Sequence, residues 1–219
     1  MLRRTIRVDD RRAVSSVWRI PEGYVAGGGR VLIIAHGAGN HMSSAFINYL
    51  HRNLAGRGCL TVKFNFPYAQ AGRKAPDRAP VLEHTWRAVF ERVRTDAQCA
   101  GGRIYLSGKS LGGRMASHIA ADTATAPRSL IFFGFPLHPP NHRDTQRAAP
   151  LFGIETPMLF IQGTRDPFCD LELLKSVLAR LKAPHRLHVI DDGDHSFKLP
   201  KRAQRSEKSV WDEIVAAAD

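Results

Sequence analysis

Short, nearly continuous apolar runs alternate with longer amphipathic segments through most of this chain, and few folds accommodate that order. The runs "AVSSVWRI", "RVLIIAH", "CLTVKFNF", "GRIYLSG", "RSLIFFGF", "PMLFIQG" and "HRLHVI" read as strands. Helical stretches fall near 42–56, 80–98, 111–122, 170–181 and 206–218. In the second of these, Val81, Leu82, Thr85, Val89 and Val93 recur at helical spacing while Glu83, Arg87 and Glu91 face water. Strands buried on both faces read as unbroken apolar runs, so the alternation predicts an α/β fold, a mostly parallel central sheet with helices on both faces. In such sheets, reactive groups gather in loops beyond the carboxyl ends of the strands.

One of those loops stands out. The run "IYLSGKSLGGRMASHIA" (104–120) passes from strand to helix through G-K-S-L-G, Gly108 to Gly112. A serine after a strand is often only a helix N-cap, but that role does not explain the paired glycines. A sharp strand-to-helix turn does. It holds its central residue in a strained conformation and brings the flanking positions too close for side chains. Ser110 then projects beyond the sheet edge as a candidate nucleophile, with the Leu111 amide at the positive end of a helix as a candidate oxyanion donor.

A serine hydroxyl needs a general base, and the base needs a third group to orient it. After "PMLFIQG" comes "TRDPFCD", carrying Asp166; after "HRLHVI" comes "DDGDHSF", carrying His195. Each lies at a strand end, in the order serine, aspartate, histidine. Asp170 is the fallback acid, although its position before "LELLKSVLARL" suits an N-cap. Asp191, Asp192 and Asp194 are expected to form the turns of the histidine loop, with their charge raising the histidine pKa. A second oxyanion donor is expected in "VLIIAHGAGN", at Ala38 or Gly37.

The motifs "AHGAGN", "FNFPYAQAGRKAPDRAP", "GKSLGGRMAS", "GFPLHPP", "QGTRDPF" and "GDHSF", taken in order, resemble the α/β-hydrolase superfamily and, within it, the dienelactone-hydrolase-like group. The resemblance implies an α/β-hydrolase fold in a single domain, 1–219, a catalytic set of Ser110, Asp166 and His195, and an oxyanion loop at His36 to Gly39. The dienelactone hydrolases themselves use a cysteine nucleophile. A serine in its place points toward a general esterase acting on a small-molecule ester. A thioesterase, peptidase or acyltransferase on the same three residues, or a non-catalytic scaffold with this fold, remains the alternative.

Substrate-binding residues are expected at His36, Tyr68, Arg73, Phe135, Leu137 and Phe168, with Leu151 also bordering the cleft. Only some twenty residues, "LHPPNHRDTQRAAPLFGIET", separate two strands where lipases of this fold insert a cap, which predicts no cap domain and an open cleft for short acyl groups.

The formal charge is +12, but the cations are dispersed and "MLRRTIRVDDRR" and "KRAQRSEK" are broken by acidic residues, which argues against a nucleic-acid partner. No apolar stretch is long enough to span a bilayer, and the charged start does not read as a signal peptide, so a cytoplasmic protein with no membrane partner is expected. Cys59, Cys99 and Cys169 have no metal-binding or disulfide spacing. His138 and His142 are separated by Pro139 and Pro140, so they cannot share a helix face. Neither a phosphate loop nor a dinucleotide fingerprint occurs, and no metal or cofactor is implied.

Overall fold

A computed structural model of the chain describes residues 1–122, 125–143 and 147–219. Its strands are β1 (Leu2–Arg7), β2 (Ala13–Arg19), β3 (Arg30–Ala35), β4 (Cys59–Phe64), β5 (Arg103–Lys109), β6 (Ser129–Phe133), β7 (Met158–Gly163) and β8 (His185–Ile190). Its helices are α1 (Ala45–Ala55), α2 (Pro67–Gln70), α3 (Ala79–Arg94), α4 (Leu111–Ala120), α5 (Leu171–Leu178) and α6 (Glu207–Ala218), with a 3-10 turn at Ala149–Gly153. The strands form one sheet in the order β1-β2-β4-β3-β5-β6-β7-β8. From β4 to β8 across that order every pairing is parallel, while β1 and β2 add an antiparallel edge. This is the expected α/β-hydrolase architecture.

The two-residue period of a strand divides the core. From β3, Val31, Ile33 and Ala35 face α3 and α4 together with Leu82, Trp86, Val89, Met115 and Ile119, and α5 adds Leu174 and Val177 to that side. Leu32 and Ile34 face the opposite way, onto Ile47, Leu50 and Leu54 of α1 and Val210 and Ile214 of α6. The sheet is thus covered on both faces, and its carboxyl end is left to the loops.

Strand β1 was not expected. Its segment "LRRTIR" carries three arginines and buries little beyond Ile6, which is 1% exposed. Charge is tolerated because the strand lies at the sheet edge, where cations also discourage pairing with another chain. Arg4 holds it down, pairing with Asp96 and lying 4.3 Å over the Trp18 ring. Among the described residues, the connection from β6 to β7 contains no helix beyond the five-residue 3-10 turn, so no cap covers the site.

Candidate active site

Ser110 sits between β5 and α4 with φ 50° and ψ −116°. A non-glycine residue there is strained by about 1–3 kcal/mol, and the glycines show why the turn needs them. A Cβ on Gly108 would come within 2.3 Å of the Gly113 nitrogen, and one on Gly112 within 2.6 Å of the His36 carbonyl oxygen. The strain lifts the serine side chain clear of the helix, where Oγ lies 2.8 Å from His195 Nε2.

His195 follows β8 and Asp166 follows β7. The Asp166 carboxylate, with its side chain fully buried, lies 2.7 Å from His195 Nδ1. A carboxylate only accepts, so Nδ1 carries the imidazole proton and Nε2 is left bare to accept from Ser110. Two further donors fix the carboxylate. Gln162 Nε2 donates to Oδ2 at 2.6 Å and the Phe168 amide to Oδ1 at 2.8 Å. Gln162 is itself oriented, since its Oε1 accepts from the Phe135 amide at 2.9 Å. Close approach of the two loops requires a glycine, because a Cβ on Gly163 would meet the Gly193 carbonyl oxygen at 2.2 Å. The structure therefore brings Ser110, Asp166 and His195 together. Asp170 is elsewhere employed: its side chain accepts from the Glu172 and Leu173 amides as the N-cap of α5.

Asp194 organises the histidine loop, accepting from the Ser196 and Lys198 amides at 2.7 and 2.9 Å. The charge of Asp194 raises the His195 pKa as expected, but it does not set the net direction. Burial holds the His195 pKa below its usual value; the ion pair with Asp166 opposes that shift, and the charge of Lys109 adds to it. Lys109 was not singled out from the sequence. Its stem lines the cleft, yet its Nζ is buried without a hydrogen-bond partner, 5.4 Å from the Phe197 ring. Burial, opposed by Asp166 and Asp194, lowers its pKa to about 8.

The candidate oxyanion amides are free. Neither the Ala38 nor the Leu111 amide donates to an acceptor among the described residues, and both residues line the cleft. The Gly37 carbonyl explains the orientation of Ala38. It accepts from Tyr68 Oη at 3.0 Å, lies 2.9 Å from His36 Nδ1 and accepts from the Asn40 amide at 3.3 Å. A trans peptide directs its N–H opposite its C=O, so donors gripping the Gly37 oxygen from within aim the Ala38 N–H outward. Of the two candidates, it is the Ala38 amide that this arrangement turns toward the cleft. His36 Nε2 accepts from the Phe66 amide at 3.1 Å, which leaves Nδ1 as the donor. Burial keeps that imidazole neutral by lowering its pKa to about 4 and pushes the Tyr68 hydroxyl up to about 12.

Several expected substrate contacts are thereby corrected. His36 and Tyr68 are fully buried beneath the oxyanion loop. Phe135, Leu137 and Leu151 are also at most 1% exposed, packed in the core below the cleft, while Pro136 reaches its surface. Arg73 is spent on Asp77 of its own loop at 2.7 Å, and from that loop only Pro76 lines the cleft. Phe168 is where it was expected, its ring centroid 4.4 Å from that of His195. The cleft has a volume of about 390 Å³ and is also lined by Asn40, Ser196, Arg114 and Arg147. Arg114 was not singled out from the sequence, although its place one helical turn beyond Ser110 was the available signal. Arg147 and Gln162 had no sequence signal. Both ring nitrogens of His138 face backbone partners, Pro139 O at 2.9 Å and the Asp170 amide at 3.0 Å. No helix among the described residues is long and apolar enough to cross a membrane.

Comparison with solved structures places the same fold around this site. A dienelactone hydrolase from Anabaena variabilis superposes with a TM-score of 0.76 at 18% identity, covering 99% of this chain and 94% of that one. XC6422 from Xanthomonas campestris, an α/β serine hydrolase without a lid, gives 0.73 at 23%, covering 99% and 91%. Est1E from Butyrivibrio proteoclasticus gives 0.71 at 14%, covering 99% and 98%. At such identities the likeness establishes the fold alone. The sequence goes further, since the family profile described as an alpha/beta hydrolase domain matches residues 28–219. The chain belongs to the α/β-hydrolase family.

Proposed function

We propose that residues 1–219 act as a single serine hydrolase domain that cleaves small, short-acyl esters through an acyl-enzyme on Ser110. The observation that carries this reading is the strained Ser110 whose Oγ stands 2.8 Å from His195 Nε2, with Nδ1 of the same ring 2.7 Å from Asp166. Strain of this kind has no structural use, as a glycine at 110 would relieve it.

In the reaction so inferred, His195 Nε2 takes the hydroxyl proton as Ser110 Oγ attacks the ester carbonyl. The negative oxygen that develops accepts from the Leu111 and Ala38 amides. Imidazolium then gives its proton to the departing alkoxide, leaving the acyl group on Ser110. Water, deprotonated by the same nitrogen, attacks the acyl-enzyme, and the proton returns to Ser110 as the carboxylic acid leaves. Asp166 holds the imidazole in the required tautomer. The open cleft suits short acyl chains and alcohol leaving groups. The three cysteines, free and buried, suit a reducing compartment such as the cytoplasm.

A fluorophosphonate probe tests the reading. The expected result is one adduct, located on Ser110 by peptide mass spectrometry and absent from Ser110→Ala, alongside hydrolysis of p-nitrophenyl butyrate that the same substitution removes. No labelling and no ester turnover would favour the scaffold alternative.

A further inference from the structure

Arg114 and Arg147 line the cleft beside Ser110, and among the described residues no carboxylate lines it with them. Both are half-buried, and neither guanidinium has an ion-pair or hydrogen-bond partner among the described residues. Arg114 Nε is completely buried and unsatisfied. Glu83, whose charge acts on Arg114, is engaged by His118 Nδ1 at 2.8 Å. Elsewhere on this chain some arginines pair with acids, as Arg73 does with Asp77, Arg87 with Asp122 and Arg205 with Glu213, while others such as Arg19 have no such pair among the described residues; what sets Arg114 and Arg147 apart is that they lie together in the cleft beside Ser110. Burial holds both cleft guanidiniums below their usual range, and the charge of Arg147 lowers Arg114 further.

Two like charges kept close together, partly desolvated and without a counter-ion among the described residues, destabilise the free protein. Packing does not need them, since a neutral side chain of similar length would line the same wall. An anion entering the cleft would satisfy both, and the planar fork of a guanidinium matches a carboxylate in two-point contact. The position is also suitable. Four residues along α4 from Ser110, Arg114 rises on the same helix face about 6 Å further on, which is within reach of a substituent three or four bonds from a carbonyl held at Ser110.

We propose that Arg114 and Arg147 form an anion subsite, and that the ester cleaved at Ser110 carries a carboxylate on its acyl or its leaving group. This inference rests on the esterase reading for its chemistry but not for its binding. Lys109 adds positive potential to the same cleft from a buried Nζ.

The test compares esters with and without a terminal carboxylate. Mono-p-nitrophenyl glutarate against p-nitrophenyl valerate probes the acyl side, and 4-(valeryloxy)benzoate against its methyl ester probes the leaving-group side. The subsite predicts that kcat/KM favours the anionic member by about tenfold or more on one side, the range of a charge-assisted contact. The ratio should fall toward one in Arg114→Gln and in Arg147→Gln, stay intermediate in Arg147→Lys, and shrink as salt is added. Because each variant is scored by its own ratio, a general loss of folding or activity cancels. A wild-type ratio of one or less on both sides, or a preference that survives both glutamine variants, overturns the subsite. If neither kind of ester is turned over, the esterase reading fails separately and calorimetric titration with glutarate decides the subsite. Binding lost in Arg147→Gln sustains it, and absence of binding to the wild type overturns it.

Discussion

Tyr68→Phe removes one oxygen from a buried residue that touches no substrate, and it should nonetheless slow the reaction. The hydroxyl donates to the Gly37 carbonyl at 3.0 Å, and that carbonyl fixes the peptide whose N–H is the proposed second oxyanion donor. Two grips remain, His36 Nδ1 at 2.9 Å and the Asn40 amide at 3.3 Å, so the peptide loosens rather than flips. A net hydrogen bond contributes about 1 kcal/mol. If most of it serves to hold the amide in line, kcat falls about fivefold, well short of the hundredfold or more that follows loss of a donor outright. The contact with oxygen strengthens as the tetrahedral intermediate forms, so the loss belongs in kcat with KM nearly unchanged. The assay is p-nitrophenyl butyrate kinetics beside urea melting, where stability should drop by about 1 kcal/mol. His36→Ala, which removes a second grip and the acceptor for the Phe66 amide, should cost more on both counts. A Tyr68→Phe enzyme with wild-type kcat and lowered stability would refute the reasoning, because the loop would then hold its amide without the tyrosine.

The rate should rise with pH as His195 loses its proton, and because its pKa is held below the usual 6.5, the half-maximal point of kcat/KM should lie below pH 6.5; a limb centred above pH 7 would contradict this. Lys109→Met removes a buried positive charge that disfavours imidazolium, so the same limb should move to higher pH, and a limb that stayed in place would show the lysine to be electrostatically silent. Asp166→Asn should lower kcat by several orders of magnitude, by offering Nδ1 an amide in place of an acceptor, whereas Asp170→Asn should cost only helix-cap stability of about 1 kcal/mol; the reverse ranking in an esterase assay would reassign the acid. Across p-nitrophenyl esters from acetate to palmitate, kcat/KM should peak at short chains, since a methylene left in water gains none of the roughly 0.8 kcal/mol that burial gives; a maximum at ten carbons or beyond would reveal a tunnel.

The parts of this molecule that were legible were those written in periodicity and strand-end position. The apolar runs from Ala13 onward mark seven strands to within two residues, because a sheet covered on both faces favours apolar side chains. Ser110, Asp166 and His195 could be read because each follows such a run. Edge strand β1 was hidden by its arginines, since an edge need not be apolar. Loop residues showed their place along the chain but not the direction of their side chains. His36 and Tyr68 follow strand ends as substrate-binding residues do, yet both turn inward and meet at the Gly37 oxygen. Phe135 and Leu137 turn into the core while Pro136 between them meets the cleft, a choice made by the tertiary fold. Gln162 sits inside the apolar run of β7, where a polar residue signals only that a partner exists. That partner, Asp166, emerges once β7 and the loop after it are folded.

The central claim is that Ser110 carries the acyl group, and rapid quenching of the reaction with p-nitrophenyl butyrate tests it most directly. Acid quench in the first turnover, followed by intact-mass and peptide analysis, should show a butyryl adduct on Ser110 that rises with a burst of p-nitrophenol, disappears as substrate is exhausted, and never forms in Ser110→Ala. Steady turnover with Ser110 unmodified at every time, or retained in Ser110→Ala, would contradict the account.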